Sequence, residues 1–303
     1  MSALRYAVRH QTRYHYGRQV VHSHQLLHLT PRDDCARQSC LEHHIGIEPQ
    51  PAIRSEHLDA FGNRVTRVEL DRPHDQLDVL VQMLLSLETP CAAPLEEGER
   101  WQQVRDGLAY QSRPRPAEWL EAIRFRGESP FVRIKRLFSD FAADCLPGGA
   151  SVLQVADRLM AKVHAEFTYA PGETEIATPL LEVFHRRRGV CQDYAHCMIA
   201  CLRSAGLAAR YVSGYLRTHG ESLVGADASH AWVAVFAPPF GWVEFDPTNN
   251  VRVRQEHVAL AWGRDFGDVS PLRGVILGGG SHTLSVSVAM EPLPEPALER
   301  PSG

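Results

Sequence analysis

The feature that most constrains this fold is a change of pattern at Gly206. Residues 191–205 (CQDYAHCMIACLRSA) read as a helix that stops near this glycine. Three strand-like segments follow: ARYVSGYL, HAWVAVFA and GWVEFDPT. Two more helical patterns lie ahead of the change. SVLQVADRLMAKVHAEF places Val152, Val155, Leu159, Val163 and Phe167 at helical spacing. TPLLEVFHRRRG offers Thr178 as an N-cap and Pro179 as the first helical residue. Gly189 then stops that helix or the turn after it. Helices followed by antiparallel strands predict an α+β domain over residues 151–292.

Residues 1–90 have a different texture. RYAVRHQTRYHY, QVVHSHQLLHLTP, LEHHIGIEP, RVTRVEL and LDVLVQMLLSLE are short, partly alternating segments. DAFGN, from Asp59 to Asn63, is a turn signal between two of them. The expectation is an antiparallel, sandwich-like β domain. Residues 91–150 contain the helical stretches EEGERWQQVRDGLAY and EWLEAIRF, and form a connecting region packed on the core. SHTLSVSVAM, after Gly278-Gly279-Gly280, is a late strand whose sheet stays open. Residues 293–303 read as a disordered tail.

The 303 residues suffice for about two domains. A net charge of −4 offers no footprint for nucleic acid or for an anionic membrane. No apolar run approaches the roughly 20 residues of a membrane-spanning helix. The first residues show no apolar core of a secretion signal, so a cytoplasmic location is expected. Seven cysteines, an odd number at irregular spacing, argue against a disulfide framework. Sixteen histidines raise the question of metal. Cys35, Cys40, His43 and His44 lack zinc-site spacings. His22, His24 and His28 read as half-exposed strand histidines, and no DxDxDG loop is present. No metal and no cofactor are expected, and the oligomeric state stays open.

Three residues suit acyl transfer. Cys191 sits in the first turn of its helix, where free N–H groups and the positive end of the macrodipole favour the nucleophilic thiolate. His230 begins HAWVAVFA. Asp246 ends GWVEF-D. If these strands form a hairpin through PPF, His230 and Asp246 share one edge of the sheet. The carboxylate can then hold the imidazole by its second nitrogen and fix its tautomer. A set of Cys, His and Asp is what acyl transfer through a thioester requires.

RRGVCQDYAH, GLAARYVSGYL, DASHAWV and GWVEFDPTNN resemble the transglutaminase-like superfamily. The chain as a whole resembles its bacterial members with an N-terminal β domain. RYAVRHQTRYHYG, HLTPR of residues 28–32 and DAFGNRV of 59–65 carry the N-terminal likeness, and GRDFGDVSPLRG of 263–274 the segment after the aspartate. The resemblance implies a papain-like cysteine core with Cys191 as nucleophile, His230 as base and Asp246 as orienting acid. It implies action on a peptide bond or a glutamine side-chain amide of a protein or peptide substrate. Hydrolysis by a peptidase or amidase and transfer to an amine share this triad, so the choice stays open. A non-catalytic interaction module on the same fold is the competing class, and the role of the N-terminal domain is open.

Around the triad the candidates are several. The Cys191 N–H is a natural oxyanion donor. Gln192, Asp193 and Tyr169 are possible neighbours, Tyr169 resembling an aromatic that precedes the core helix in relatives. Trp232 and Trp242 either pack the sheet or line the cleft, and Tyr215 and Ser229 are further cleft candidates. Cys197 and Cys201 share a helix face with core packing. Arg186, Arg187 and Arg188 offset the dipole of the helix they end, or attract a substrate carboxylate.

Overall fold

The computed structural model describes residues 3–33, 37–90, 93–110, 112, 114–217 and 229–294. Cys35, Cys91, most of the GADAS loop and nearly all of the expected tail lie outside the described residues. The N-terminal segments form β1 (Leu4–Leu27), β2 (Gln38–Glu48), β3 (Ile53–Leu58), β4 (Arg64–Leu70) and β5 (His74–Leu87). The two patterns expected on either side of Gly17 are one 24-residue strand, with irregular register between His15 and Val20 and again between Val20 and His22. β3 is exposed along its whole length, so it carries no alternation to betray it.

The connecting region holds α1 (Trp101–Leu108), α2 (Ala117–Ile123) and α3 (Arg136–Ala142). α4 (Val152–Glu166) buries Val152, Val155, Leu159 and Val163, and starts at a capping box between Ser151 and Gln154. β6 (Thr168–Tyr169) pairs in parallel with β7 (Arg188–Gly189), which follows α5 (Leu180–Arg186). α5 starts one residue later than expected, with Pro179 at the N-cap. It ends with Arg187, not Gly189, in the left-handed region. Then come α6 (Cys191–Ser204), β8 (Ala209–Leu216), β9 (His230–Phe236), β10 (Trp242–Asp246), β11 (Val251–Arg252) and β12 (His257–Gly263). The short α7 (Phe266–Val269) precedes β13 (Leu272–Gly278) and β14 (His282–Leu293).

In place of two stacked sheets, one antiparallel half-barrel of seven strands forms around β1. β4 and β5 run in succession along one side of it, from Leu27↔Thr66 to Leu4↔Leu87. β13 and β14 run along the other, from Leu27↔Leu272 to Arg5↔Leu293. The late strand thus joins the N-terminal sheet. The second sheet has the order β11-β10-β9-β8-β12. α6 packs on its β8 and β9.

This second sheet is covered on both faces. Ala259, Ala261 and Trp262 of β12 join the core under the helices. Val258 and Leu260 of the same strand, with Tyr215 of β8, join the core of the half-barrel. Every residue of β8, β9 and β12 is therefore buried, which is why these strands read as nearly continuous apolar runs.

The N-terminal motifs are the docking contacts. Asn63 of DAFGN accepts from the Trp262 N–H (3.0 Å) and donates to the Trp262 carbonyl (2.9 Å). Arg32 of HLTPR lies over the Trp262 ring at 3.4 Å and donates to Asn63 (2.5 Å). The Gln38 amide pairs with both backbone groups of Ala259, each at 2.8 Å. His10 on β1 shares a 2.9 Å hydrogen bond with the Tyr215 hydroxyl.

His10 and His196 are buried neutral. Burial pulls His10 down from 6.5 to about 4. Burial, helped by the charge of Arg203, pulls His196 down to about 3. Between pH 6.5 and about 4 the unfolded chain therefore takes up protons that the folded chain refuses. Stability is full above the unfolded value and falls on acidification, by up to about 1.4 kcal/mol per pH unit for each histidine. Urea midpoints measured at pH 7, 6 and 5 should fall progressively, and His10→Asn should flatten the fall. A midpoint independent of pH over that range contradicts this account.

Candidate active site

α6 begins at Cys191, so the N–H groups of its first turn have no partners within the helix. One is supplied from the helix itself: the Asp193 carboxylate accepts from the Val190 N–H at 2.8 Å, and from the Thr174 hydroxyl at 2.7 Å. Burial raises the Asp193 pKa. Gly189 is needed here for space, since a Cβ would stand 2.4 Å from an Asp193 carboxyl oxygen. Gly-Val-Cys-x-Asp is thus a local cap that fixes where Cys191 stands. Asp193 is committed to this cap and supplies no oxyanion donor.

β9 and β10 form the expected hairpin, with Trp242 opposite Phe236 and Phe245 opposite Val233. His230 and Asp246 consequently meet at one edge, His230 Nε2 lying 2.8 Å from Asp246 Oδ2. Both side chains are fully buried. Nδ1 of the ring is buried with no conventional partner. Burial disfavours a charged His230, but the Asp246 carboxylate outweighs it, and nearby Cys191 adds to the rise in pKa. The structure thus brings imidazole and carboxylate together, with Cys191 among the groups near the ring.

The carboxylate is held on every side. Thr248 and Asn249 N–H groups donate to Oδ1 at 3.0 and 3.2 Å. The Asn249 amide donates to Oδ2 at 2.8 Å. His257, which nothing in the sequence singles out, contacts Oδ2 through Nε2 at 3.2 Å. Burial pushes the Asp246 pKa up, but His230 and His257 hold it well below the usual carboxylate range. Burial keeps His257 below its ordinary value, hence neutral and able to donate. Arg37 donates to the His257 carbonyl at 2.6 Å and pairs with Glu244 at 2.8 Å, so the half-barrel reaches this cluster. His230, Asp246 and His257 could in principle hold a metal ion. Asp246 Oδ2 already accepts from His230, His257 and Asn249, which satisfies it with protons instead.

The other candidates fall in varied places. Tyr169 is beside Cys191: burial, then the charge of Cys191, raises its phenol pKa. Gln192 donates to the Ile176 carbonyl at 3.3 Å. Ser229 is half-buried next to His230. Trp232 is wholly buried, its ring edge-on to His257 at 5.3 Å, so it backs the site from the core. Gly214 leaves room for that indole, with a Cβ there 2.5 Å from the ring. Tyr215 is equally buried and faces His10. Trp242 packs against Phe125 and Phe236. Burial pushes the Cys197 and Cys201 thiols far up. The three arginines are all engaged: Arg186 with Glu182, Arg188 with Glu173, and Arg187 over Phe184 at 3.8 Å.

This is the site of a cysteine-enzyme fold. Residues 6–85 match the bacterial transglutaminase-like N-terminal region, and residues 139–247 match the transglutaminase-like superfamily. The chain belongs to that superfamily, in its bacterial form with the N-terminal region. An uncharacterized protein of Mycobacterium tuberculosis (strain H37Rv) is 35% identical over 303 residues, covering 97% of this chain and 95% of its own. A protein-glutamine gamma-glutamyltransferase of Pseudomonas aeruginosa is 39% identical over 205 residues, covering 58% of this chain and 29% of its own. A crystal structure from Cytophaga hutchinsonii, described as a candidate cysteine protease, aligns with a TM-score of 0.75 at 18% identity. It covers 97% of this chain and 92% of that one, and shows the fold.

Gly189→Ala tests the cap. The added methyl displaces the Asp193 carboxylate, and overpacking of this kind costs about 1–3 kcal/mol. Urea denaturation should show that loss, and alkylation of Cys191 should slow as its position loosens. An unchanged midpoint and alkylation rate would remove Gly189 from the frame of the site.

Proposed function

We propose that this chain is a cysteine enzyme that cleaves amide bonds of a protein or peptide substrate through a thioester. The observation that carries it is the orientation of His230. Nε2 is held by Asp246, and the unpartnered Nδ1 is left for the sulfur of Cys191. In the first half, His230 takes the thiol proton and the sulfur attacks the carbonyl carbon. The oxyanion forms at the N-terminus of α6, with the Cys191 N–H and the Tyr169 hydroxyl as donors. The C–N bond then breaks, His230 returns the proton to the leaving nitrogen, and ammonia or a peptide amine departs. In the second half, water attacks the thioester, His230 accepts its proton, and the carboxylic acid and free thiol result.

Hydrolysis is the primary reading. Amine transfer is the second, and it rests on the Pseudomonas aeruginosa relative, whose name is that of a glutamyltransferase. A reducing, cytoplasmic setting is part of the proposal: Cys40, Cys145, Cys191, Cys197 and Cys201 are all free. No helix among the described residues is long and apolar enough to cross a membrane.

Mass spectrometry of a peptide library, with and without an added primary amine, separates the outcomes. Chain cleavage or a glutamine-to-glutamate change marks hydrolysis, and amine incorporation marks transfer. Iodoacetamide at pH 6–7 should modify Cys191 ahead of Cys40, whose thiol burial raises to about 11. Cys191→Ala should abolish turnover, and Tyr169→Phe should lower kcat by about 100-fold. Full turnover by Cys191→Ala would refute the nucleophile. Full turnover by Tyr169→Phe would refute only the oxyanion role.

A further inference from the structure

We propose that His22, His24 and Glu69 form a binding site for a zinc-class divalent cation on the outer face of the half-barrel. The proposal is independent of the cysteine chemistry.

The argument begins with strand periodicity. His22 and His24 are two residues apart on β1, so both rings stand on one face of the sheet. Glu69 of β4 is the register partner of His24. The backbone ladder, not chance packing of long side chains, thus brings the three together. His22 Nε2 lies 2.9 Å from His24 Nε2 and 3.5 Å from Glu69 Oε1, and His24 Nδ1 lies 3.5 Å from Glu69 Oε2. One donor atom from each residue falls within 4.8 Å of the others.

His24 faces His22 through Nε2 and Glu69 through Nδ1, and an ion would take one of these nitrogens. Ligands about 2.1 Å from a tetrahedral zinc stand about 3.4 Å from one another. Small ring rotations bring the set into that range. The chemistry agrees: two imidazoles and one carboxylate are a zinc-type donor set, and three protein ligands leave a fourth position open.

Access is direct. All three side chains are partly exposed. His24 borders a groove of about 500 Å³ that includes Leu26, Arg67, Arg273 and Val275. The two arginines stand one row further along the sheet, both in register with Leu26. Arg273 is engaged with the Gly267 carbonyl. Their charge favours an anion, such as chloride or a carboxylate, as the fourth ligand. On the other side Val275 and Leu277 are the β13 partners of His24 and His22, and they wall the site with apolar surface.

The test is zinc titration of the full chain at pH 7.5 by isothermal calorimetry, after EDTA stripping. It is done in the Cys191→Ala background, because a reactive thiol also binds zinc. The expected result is one equivalent of zinc. His24→Ala and, separately, Glu69→Gln should weaken it by more than about 100-fold, beyond the loss of a merely supporting partner. Glu69→Gln keeps the side-chain shape, and the metal-free melting temperature of each variant shows that it folds. Absence of zinc binding in the parent, or equal affinity in parent and both variants, overturns the proposal.

Discussion

A carboxylate cut off from water sets the position of everything around it. Removing an ionised group from solvent costs several kcal/mol unless its lone pairs are met. Asp246 is met from three directions: its own turn through Thr248 and Asn249, β9 through His230, and β12 through His257. β9 and β12 are not adjacent in the sheet, since β8 lies between them. The carboxylate therefore spans strands that the backbone ladder does not join directly. The result is an imidazole with one nitrogen committed and one unpartnered. That second nitrogen, Nδ1, is buried with no hydrogen-bond partner.

The half-barrel belongs to that arrangement. A five-stranded sheet with helices on one face leaves the other face apolar, and Tyr215, Val258 and Leu260 would meet water without a cover. The cover is fastened at specific points. Asn63 and Gln38 use side-chain amides to complete the backbone bonding of β12, as a neighbouring strand would. Arg37 goes further and donates to the carbonyl of His257 itself. The N-terminal region thus contacts the backbone of the very residue whose ring meets Asp246.

Much of this was legible in the order of residues, for identifiable reasons. The helix at Cys191, the hairpin and the shared edge of His230 and Asp246 depend on local pattern and hairpin geometry, both of which are written in short stretches. What was not legible depends on partners distant in sequence. Alternation shows that a strand has faces but not which sheet it joins, so β14 and the single half-barrel could not be read. Trp232 and Tyr215 suggested a cleft because aromatic residues near a triad suit either role. In a sheet buried on both faces, side-chain parity cannot separate core from cleft. His257 sits in QEHVALAWG with no motif of its own, and only the packing of β12 beside β8 brings it to Asp246. Gly189 suggested a helix stop, but its use is steric, and the left-handed residue is Arg187.

The three cysteines of α6 stand in different surroundings. Cys197 and Cys201 lie on the same helix, and burial raises both far above the ordinary thiol range even though Arg187 opposes it. Cys191 differs by position: it opens the first turn of α6 and is partly exposed. The three arginines that precede it are not the source of the difference. Arg186 and Arg188 form ion pairs with glutamates. Arg187 sits over Phe184, Phe141 and Phe167 and lies 3.9 Å from Glu166. Beside Cys191 the fold thus holds one helix end and one buried His–Asp pair.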